Sequence, residues 1–451
     1  MKTFRLLIAA LLLCSAVSAQ DYSTGGKAKV FLISEQDEGN LYEFDSKREV
    51  REYLRDAKRE REVAMQSIVD IFEAGFEQGY QSALPPLLIF AQRKNKFSFG
   101  IGGFVQLRSS YDFNGVVDNI DFVTYDIPTT SSYDTRQKLT MDASTSRLFF
   151  KGIANTRALG RVDIFIDTDF RGGAESSYTP RLRNAYVSFM GITAGRAVTT
   201  FSDPMAAPRT IDFQGPNAYC FNYATLIRYQ RSWADDHLTA AIALEQPNVS
   251  GTYGTTFEEI PQRVPDIPIY LQYQWGENRD SHLRMSGIFR DMYAYSVTSD
   301  KNTTQVGWGV QLSGRAKLCH WMKLIYSGTL GEGITPYIQD LIGSGLDFTP
   351  KSDDGAELQA TPMYAWQAAA EFNISSRVSA TGGYSAVNVD TKYGYYSDDE
   401  YKMGQYIFGN VFYAVTPRMQ IACEYIYGNR KNMDQTKNSA NRASVMVQYH
   451  F

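Results

Sequence analysis

From Phe97 to Phe451 apolar residues recur at every second position, in one segment after another. In "VGWGVQLSGRAK", Val306, Trp308, Val310 and Leu312 fall on one side of an extended chain. Gly307, Gly309, Gln311, Ser313 and Arg315 fall on the other. "FSFGIGGFVQLRSSY", "PDIPIYLQYQW" and the closing "ASVMVQYHF" repeat the pattern. A period of two belongs to a β-strand with one apolar face. The segments are longer than the about 5–6 residues usual in soluble folds and suit tilted strands of about 9–11 residues that cross a bilayer.

Sixteen such strands are expected, near 97–113, 144–155, 159–170, 181–190, 193–199, 222–231, 237–246, 267–275, 281–292, 304–316, 319–330, 361–373, 375–387, 403–415, 417–429 and 440–451. The connections alternate between short ("TRALG", "MGIT", "WADD", "GENRD", "AKLC", "NISS", "VTP") and long (114–143, 200–221, 247–266, 331–360, 388–402). This alternation is that of an all-β membrane protein: an antiparallel transmembrane β-barrel with short periplasmic turns and long external loops. An even count brings both ends of the barrel to the periplasm. The last strand must pair with the first to remove the sheet edge, so the chain has reason to finish inside a strand. Phe451 then stands at the membrane–water girdle.

The start of the chain agrees with export. Lys2 and Arg5 precede "LLIAALLLCSA" and a small-residue cleavage site, which makes 1–19 a signal peptide. Cys14 follows three leucines, which argues against a lipoprotein. The formal charge of −4 becomes −6 when the two basic residues leave with the leader. No basic footprint for nucleic acid results. Cys220, Cys319 and Cys423 remain, widely spaced, with neither a disulfide framework nor a metal-ligand spacing. No cofactor is expected. After the leader no apolar run is long enough for a transmembrane helix, and the mean hydropathy of −0.32 fits a barrel whose lumen face is polar.

Residues 41–84 follow another period. Val50, Leu54, Ala57, Arg61, Ala64, Ile68, Ile71 and Gly75 alternate steps of four and three residues, as in a coiled-coil seam. Arg61 and Gly75 weaken the seam, and a single solvated helix is the alternative. Pro85-Pro86 ends the unit, and 85–96 links it to the barrel. Residues 20–40 contain a short β-like run, "KVFLI", with no assigned place.

With Val445, Val447, Tyr449 and Phe451 towards lipid, the charged strand residues fall mostly inward. The inward cations are Arg108, Arg147, Lys151, Arg196, Arg228, Arg284, Arg290, Arg315 and Lys323, and the anions Asp163, Asp167, Asp169, Glu245, Glu371 and Glu424. They either solvate a polar lumen or form a selectivity ladder. The excess of arginine leans towards anionic solutes. The connection "TFSDPMAAPRTIDFQGPNAY", with three prolines, is expected to fold inward as a constriction near 200–221, carrying Asp203, Arg209 and Asp212.

"RLRNAYVSFMGITAGRAVTTFSDPMAAPRTIDFQGPNA" and "STSRLFF" resemble the DcaP-type trimeric outer-membrane porins. Shared features are an arginine-led strand, a Gly-Arg strand, a T-x-F-x-D loop start and a "DF-x-GP" loop end. The motifs sit in 144–218, and the rest matches by architecture. The resemblance implies passive uptake of small, often anionic, dicarboxylate-like molecules through three channels. The homotrimer would lie in the outer membrane of a Gram-negative bacterium, with a trimerising helix in the periplasm. It also implies that the C-terminal strand addresses the barrel-insertion machinery. It carries function onto Arg147, Arg183, Arg196, Asp203, Arg209 and Asp212. Strand parity alone points Arg183 outward.

Three rival readings were weighed. A barrel enzyme needs an activated nucleophile or an acid–base pair. The four histidines, His237, His282, His320 and His450, all fall at periplasmic ends, and neither G-x-S-x-G nor H-E-x-x-H occurs. A structural or adhesive barrel would tether the cell wall or bind partners through loops such as "DTKYGYYSDDEY". A soluble secreted β-protein is the third.

Overall fold

The computed structural model describes residues 29–33 (by backbone alone), 55, 67–69, 72, 83–92, 97–117, 120–130, 132–174, 177–276, 279–352, 357–390 and 396–451. Sixteen antiparallel strands close a barrel. They are β1 Phe97–Asn114, β2 Arg147–Thr156, β3 Gly160–Asp169, β4 Arg181–Phe189, β5 Ile192–Val198, β6 Tyr223–Trp233, β7 Leu238–Glu245, β8 Ile267–Trp275, β9 Ser281–Ser296, β10 Lys301–Cys319, β11 Met322–Glu332, β12 Pro362–Asn373, β13 Val378–Val389, β14 Tyr401–Thr416, β15 Met419–Asn432 and β16 Lys437–His450. Each pairs with the next, and β16 returns to β1 with His450 opposite Phe104. Phe451 and Gly103 exchange both backbone hydrogen bonds, at 3.0 and 3.1 Å. The sheet therefore has no free edge along this seam.

Alternation places the side chains as the sequence implies. Val105, Leu107, Ile227, Leu271, Met285, Val445 and Tyr449 are exposed on the outer face. Gln106, Arg108, Arg284, Gln311, Ser444 and Gln448 are buried on the inner one. The wall is uneven. β4 and β5 have only 9 and 7 residues, whereas β9 and β10 have 16 and 19 and join by the tight turn 297–300. That connection, and 433–436, are short although they lie on the external side. Their strands keep pairing beyond the membrane, so the loop is absorbed into hairpin.

The unplaced run "KVFLI" has a partner. Lys29–Ile33 pairs in parallel with Leu88–Gln92. Leu88–Gln92 lies antiparallel to Ser98–Ile101 of β1, on the edge that β16 leaves when it stops at Phe451. Of the seam positions, Ile68 alone lies among the described residues. It is buried in a cluster with Phe72, Ile89, Ala91 and Ile153 of β2, so this position faces the chain's own barrel. Val50, Leu54, Ala57, Ala64 and Ile71, and the leader, lie outside the described residues. Pro86 crosses the foot of β1 so closely that a Cβ on Gly100 would stand 2.5 Å from its Cγ.

The connection after β5 does fold inward, and the wall reads its backbone. Glu245 of β7 accepts from the Thr200 amide (2.7 Å) and the Thr199 hydroxyl (2.5 Å). Glu424 of β15 accepts from the amides of Ile211 (2.9 Å) and Asp212 (2.8 Å), and Asn410 Nδ2 donates to the Arg209 carbonyl (2.8 Å). Gln367 donates to the Ala206 carbonyl at 3.0 Å. Irregular backbone survives at membrane depth only when every such group is met by protein or water. Two further loops lock onto this one. Cys220 bridges Ile338 in the connection after β11, and Asp340 accepts from Thr124 N (2.7 Å), Thr124 Oγ1 (2.6 Å) and the Tyr401 hydroxyl (2.6 Å). An apolar cluster of Phe201, Tyr337, Ile338, Leu341 and Tyr401 fills the space between them.

Glu424→Leu leaves two buried amides without an acceptor, at about 1–3 kcal/mol each. The folded barrel is expected to unfold at lower denaturant concentration than the parent in detergent, with noisier single-channel current. An unchanged midpoint and quiet current would show that Glu424 does not hold the loop.

Candidate functional site

The lumen carries its charge in two tiers. In the upper tier, around the inserted loops, arginines meet carboxylates. Arg147 lies 3.4 Å from Asp167, and Arg183 lies 3.5 Å from Asp167 and 3.0 Å from Asp169. Arg108 stands 3.7 to 3.9 Å from Asp121, Asp142 and Asp212. Arg442 pairs with Asp112 at 2.7 Å, and Arg290 with Asp266 (3.1 Å) and Asp347 (3.2 Å). All of these arginines are buried. Removing one partner from such a pair strands a charge in a poorly solvated place, so the pairs hold one another in register.

This corrects several site assignments. Arg147, Arg183 and Arg290 point inward, but the first two tie β2 and β4 to β3 and the third ties β9 to the connections, and they offer no open charge. Arg183 reaches the lumen because the ladder slips there: Asp167 faces Asn184 and Thr168 faces Leu182, so Arg183 is the extra residue of a bulge. A bulge re-aims one side chain, which a strict period of two cannot show. Arg196 is on the outer face. It lies opposite Ala185 and Thr225 in the rows that also hold Ala194, Val187 and the exposed Ile227. Its Nε donates to the Leu182 carbonyl (3.1 Å) and its guanidinium sits 5.4 Å from the Tyr223 ring centre. Arg228 is inward and grips the loop, donating to Thr200 Oγ1 at 2.8 Å and to the Val198 carbonyl. Asp212 is also an anchor, accepting from the Phe122 amide (3.1 Å) and the Tyr406 hydroxyl (3.0 Å).

Below the inserted loop the lumen opens. One cavity of about 770 Å³ lies between the loop, the 83–85 segment and the periplasmic ends of the wall. A second of about 660 Å³ adjoins it, and the two share Met205, Arg315 and Lys323. Here cations outnumber their partners. Lys323 pairs with Glu371 at 3.4 Å. Arg209 lies 3.9 Å over the Phe412 ring and donates to Ser379 and Gln420. Arg315 donates to the Asp280 carbonyl at 3.1 Å. Neither Arg209 nor Arg315 forms an ion pair among the described residues. In the periplasmic turn, the ammonium of Lys317, 2.6 Å away, holds the Asp280 carboxyl below its usual range. Arg418 joins this tier, donating to the Pro85 carbonyl at 3.2 Å. Strand parity could not find it, because it follows Pro417 in a turn.

His282, Asp203 and Ser313 come together, but not as a nucleophile and its base. Asp203 Oδ2 is the centre: His282 Nε2 lies 2.8 Å from it and Ser313 Oγ donates to it at 2.6 Å. The serine bonds the acid and not the imidazole, so the contact that would activate it is missing. Among the described residues no group of His, Cys, Asp and Glu is placed to hold a metal ion.

The architecture is matched by known proteins. The model of the DcaP outer membrane protein family matches residues 88–451. The outer membrane channel DcaP of Acinetobacter baumannii superposes with a TM-score of 0.70 at 21% identity, over 80% of this chain and 99% of that one. The anion-selective porin from Comamonas acidovorans gives 0.51 at 13% identity, over 79% of this chain and 100% of that one. OmpF of Salmonella typhi, in a complex with daunomycin, gives 0.52 at 11% identity, over 79% and 98%. No curated protein sequence matches. A closed sixteen-stranded barrel with a loop folded into its lumen, matched over residues 88–451, makes this chain a member of the DcaP outer membrane protein family.

Proposed function

We propose that this outer-membrane barrel lets small hydrophilic anions, dicarboxylates among them, diffuse through its lumen. The observation that carries the reading is the lower tier of charge. Arg209 and Arg315 face a chamber of about 770 Å³ without a carboxylate partner among the described residues. Fixed charges of one sign in a narrow, low-dielectric passage raise the local concentration of the opposite ion. The Ser313–His282–Asp203 group is wired through its acid and lends no support to catalysis. The upper tier supplies no selectivity in this reading, because each of its arginines is tied to a carboxylate.

The protein is read as a homotrimer with the N-terminal helix in the periplasm. Arg196 supports the assembly. A cation on the lipid face near mid-bilayer costs about 2–4 kcal/mol, yet Arg196 sits on the outer face of a strand only 7 residues long. The side chains around it are small, Ala185, Ala194 and Thr225 among them. A second copy of the chain against this low wall takes Arg196 out of lipid and allows close approach.

Arg209→Gln combined with Arg315→Gln is expected to lower the anion-to-cation permeability ratio about fivefold, read from the zero-current potential across a salt gradient. Arg290→Gln is expected to impair folding and leave the ratio of the surviving channels unchanged. A ratio that does not respond to the double substitution contradicts the reading. Ala194→Trp is expected to convert the trimer into monomers on native electrophoresis while the barrel stays folded. A trimer that persists would place the interface elsewhere.

A further inference from the structure

The second part of the lower chamber carries chemistry that selection by charge alone does not need. The cavity of about 660 Å³ opens beside Asp203 and Met205, against β6, β7, β8 and β9. On β6, β7 and β8 its wall is made of groups that both donate and accept hydrogen bonds, Gln230, Ser232, Thr239, Tyr270 and Gln272 among them. Ser232 and Thr239 hydroxyls stand 3.0 Å apart. The Tyr270 hydroxyl donates to Gln230 Oε1 at 2.9 Å, which leaves the Gln230 amino group for the cavity. Gln272 is only 8% exposed, and its side-chain amide has no hydrogen-bond partner among the described residues. Arg284 stacks 3.6 Å over the Tyr270 ring and spends Nε on Ser286 and Nη2 on the Thr200 carbonyl. Arg284 lines the cavity, and its Nη1 has no hydrogen-bond partner among the described residues.

A carboxylate only accepts hydrogen bonds, so it can serve Arg284 but not the carbonyl oxygen of Gln272. A hydroxyl donates and accepts, and so can serve both ends of an amide. The Gln272 amide borders the open cavity, so a chain of hydroxyls keeps it hydrogen-bonded on entry, whereas a hydrocarbon chain covers it without a partner at about 1–3 kcal/mol. We propose that this cavity is a subsite for polyhydroxylated monocarboxylates, the sugar acids. Arg284 and Arg315 take the carboxylate, and Gln230, Gln272 and the Ser232–Thr239 pair take the hydroxyls. The carboxylate half of this assignment rests on the anion pathway proposed above; the hydroxyl half does not.

Block of the chloride current by added solutes, measured on the full-length protein in a planar bilayer, tests both halves. Gluconate is expected to block at least about fivefold more tightly than hexanoate, the gain of about one hydrogen bond. Mannitol is expected to outperform 1,6-hexanediol in the same way. Gln230→Met combined with Gln272→Met is expected to abolish both preferences while chloride conductance persists. Equal block within both pairs in the parent protein overturns the subsite, whether or not the variant folds. So does a variant that conducts and keeps both preferences. If the channel proves cation-selective while mannitol keeps a variant-sensitive advantage, the hydroxyl assignment stands and the anion reading falls.

Discussion

The lumen of this barrel depends on one constraint. A stretch of irregular backbone lies inside a membrane-spanning wall, and each of its amides and carbonyls needs a partner. The wall supplies them from inward positions of several strands, with Glu245, Asn410, Glu424, Gln367 and Arg284 each meeting a backbone group of the loop. The loop thereby becomes part of the wall. Once it is fixed, the loops after β1 and β11 can pack on it, and the upper lumen becomes a core with an apolar centre and a paired polar shell.

That arrangement decides what the charges do. An arginine surrounded by loop and wall is costly unless a carboxylate meets it. The upper tier shows this in Arg147, Arg183, Arg108, Arg290 and Arg442, each matched by aspartates. Below the loop the constraint relaxes, because the chamber admits water. Arg209 and Arg315 stand there without an ion pair among the described residues, and the field of such a charge is what a diffusing ion meets.

The barrel itself was legible in the sequence, because lipid outside and water inside impose a period of two that no other environment maintains over so many segments. The inward turn of the 200–221 connection was legible in its prolines and its place. Three things were not. The bulge at Arg183 inverts parity without changing composition. Arg196 faces outward because the register of β5 places it there, and a side chain counted as lumen-lining by its charge alone gives no warning. Part of the arginine pairing was invisible because Asp121, Asp266 and Asp347, which meet Arg108 and Arg290, lie outside the strands, in connections with no periodicity. The inward strand positions carry more cations than acids, but only geometry shows which arginines lack an ion pair among the described residues.

In the proposed function, ion pairing above the loop and its lack below, among the described residues, make the passage select anions. The zero-current potential of the purified parent protein, folded into a planar bilayer between unequal potassium chloride solutions, tests this directly. A potential of the sign set by chloride is expected, weakening as ionic strength rises and the fixed charges are screened. A potential of the sign set by potassium would contradict it.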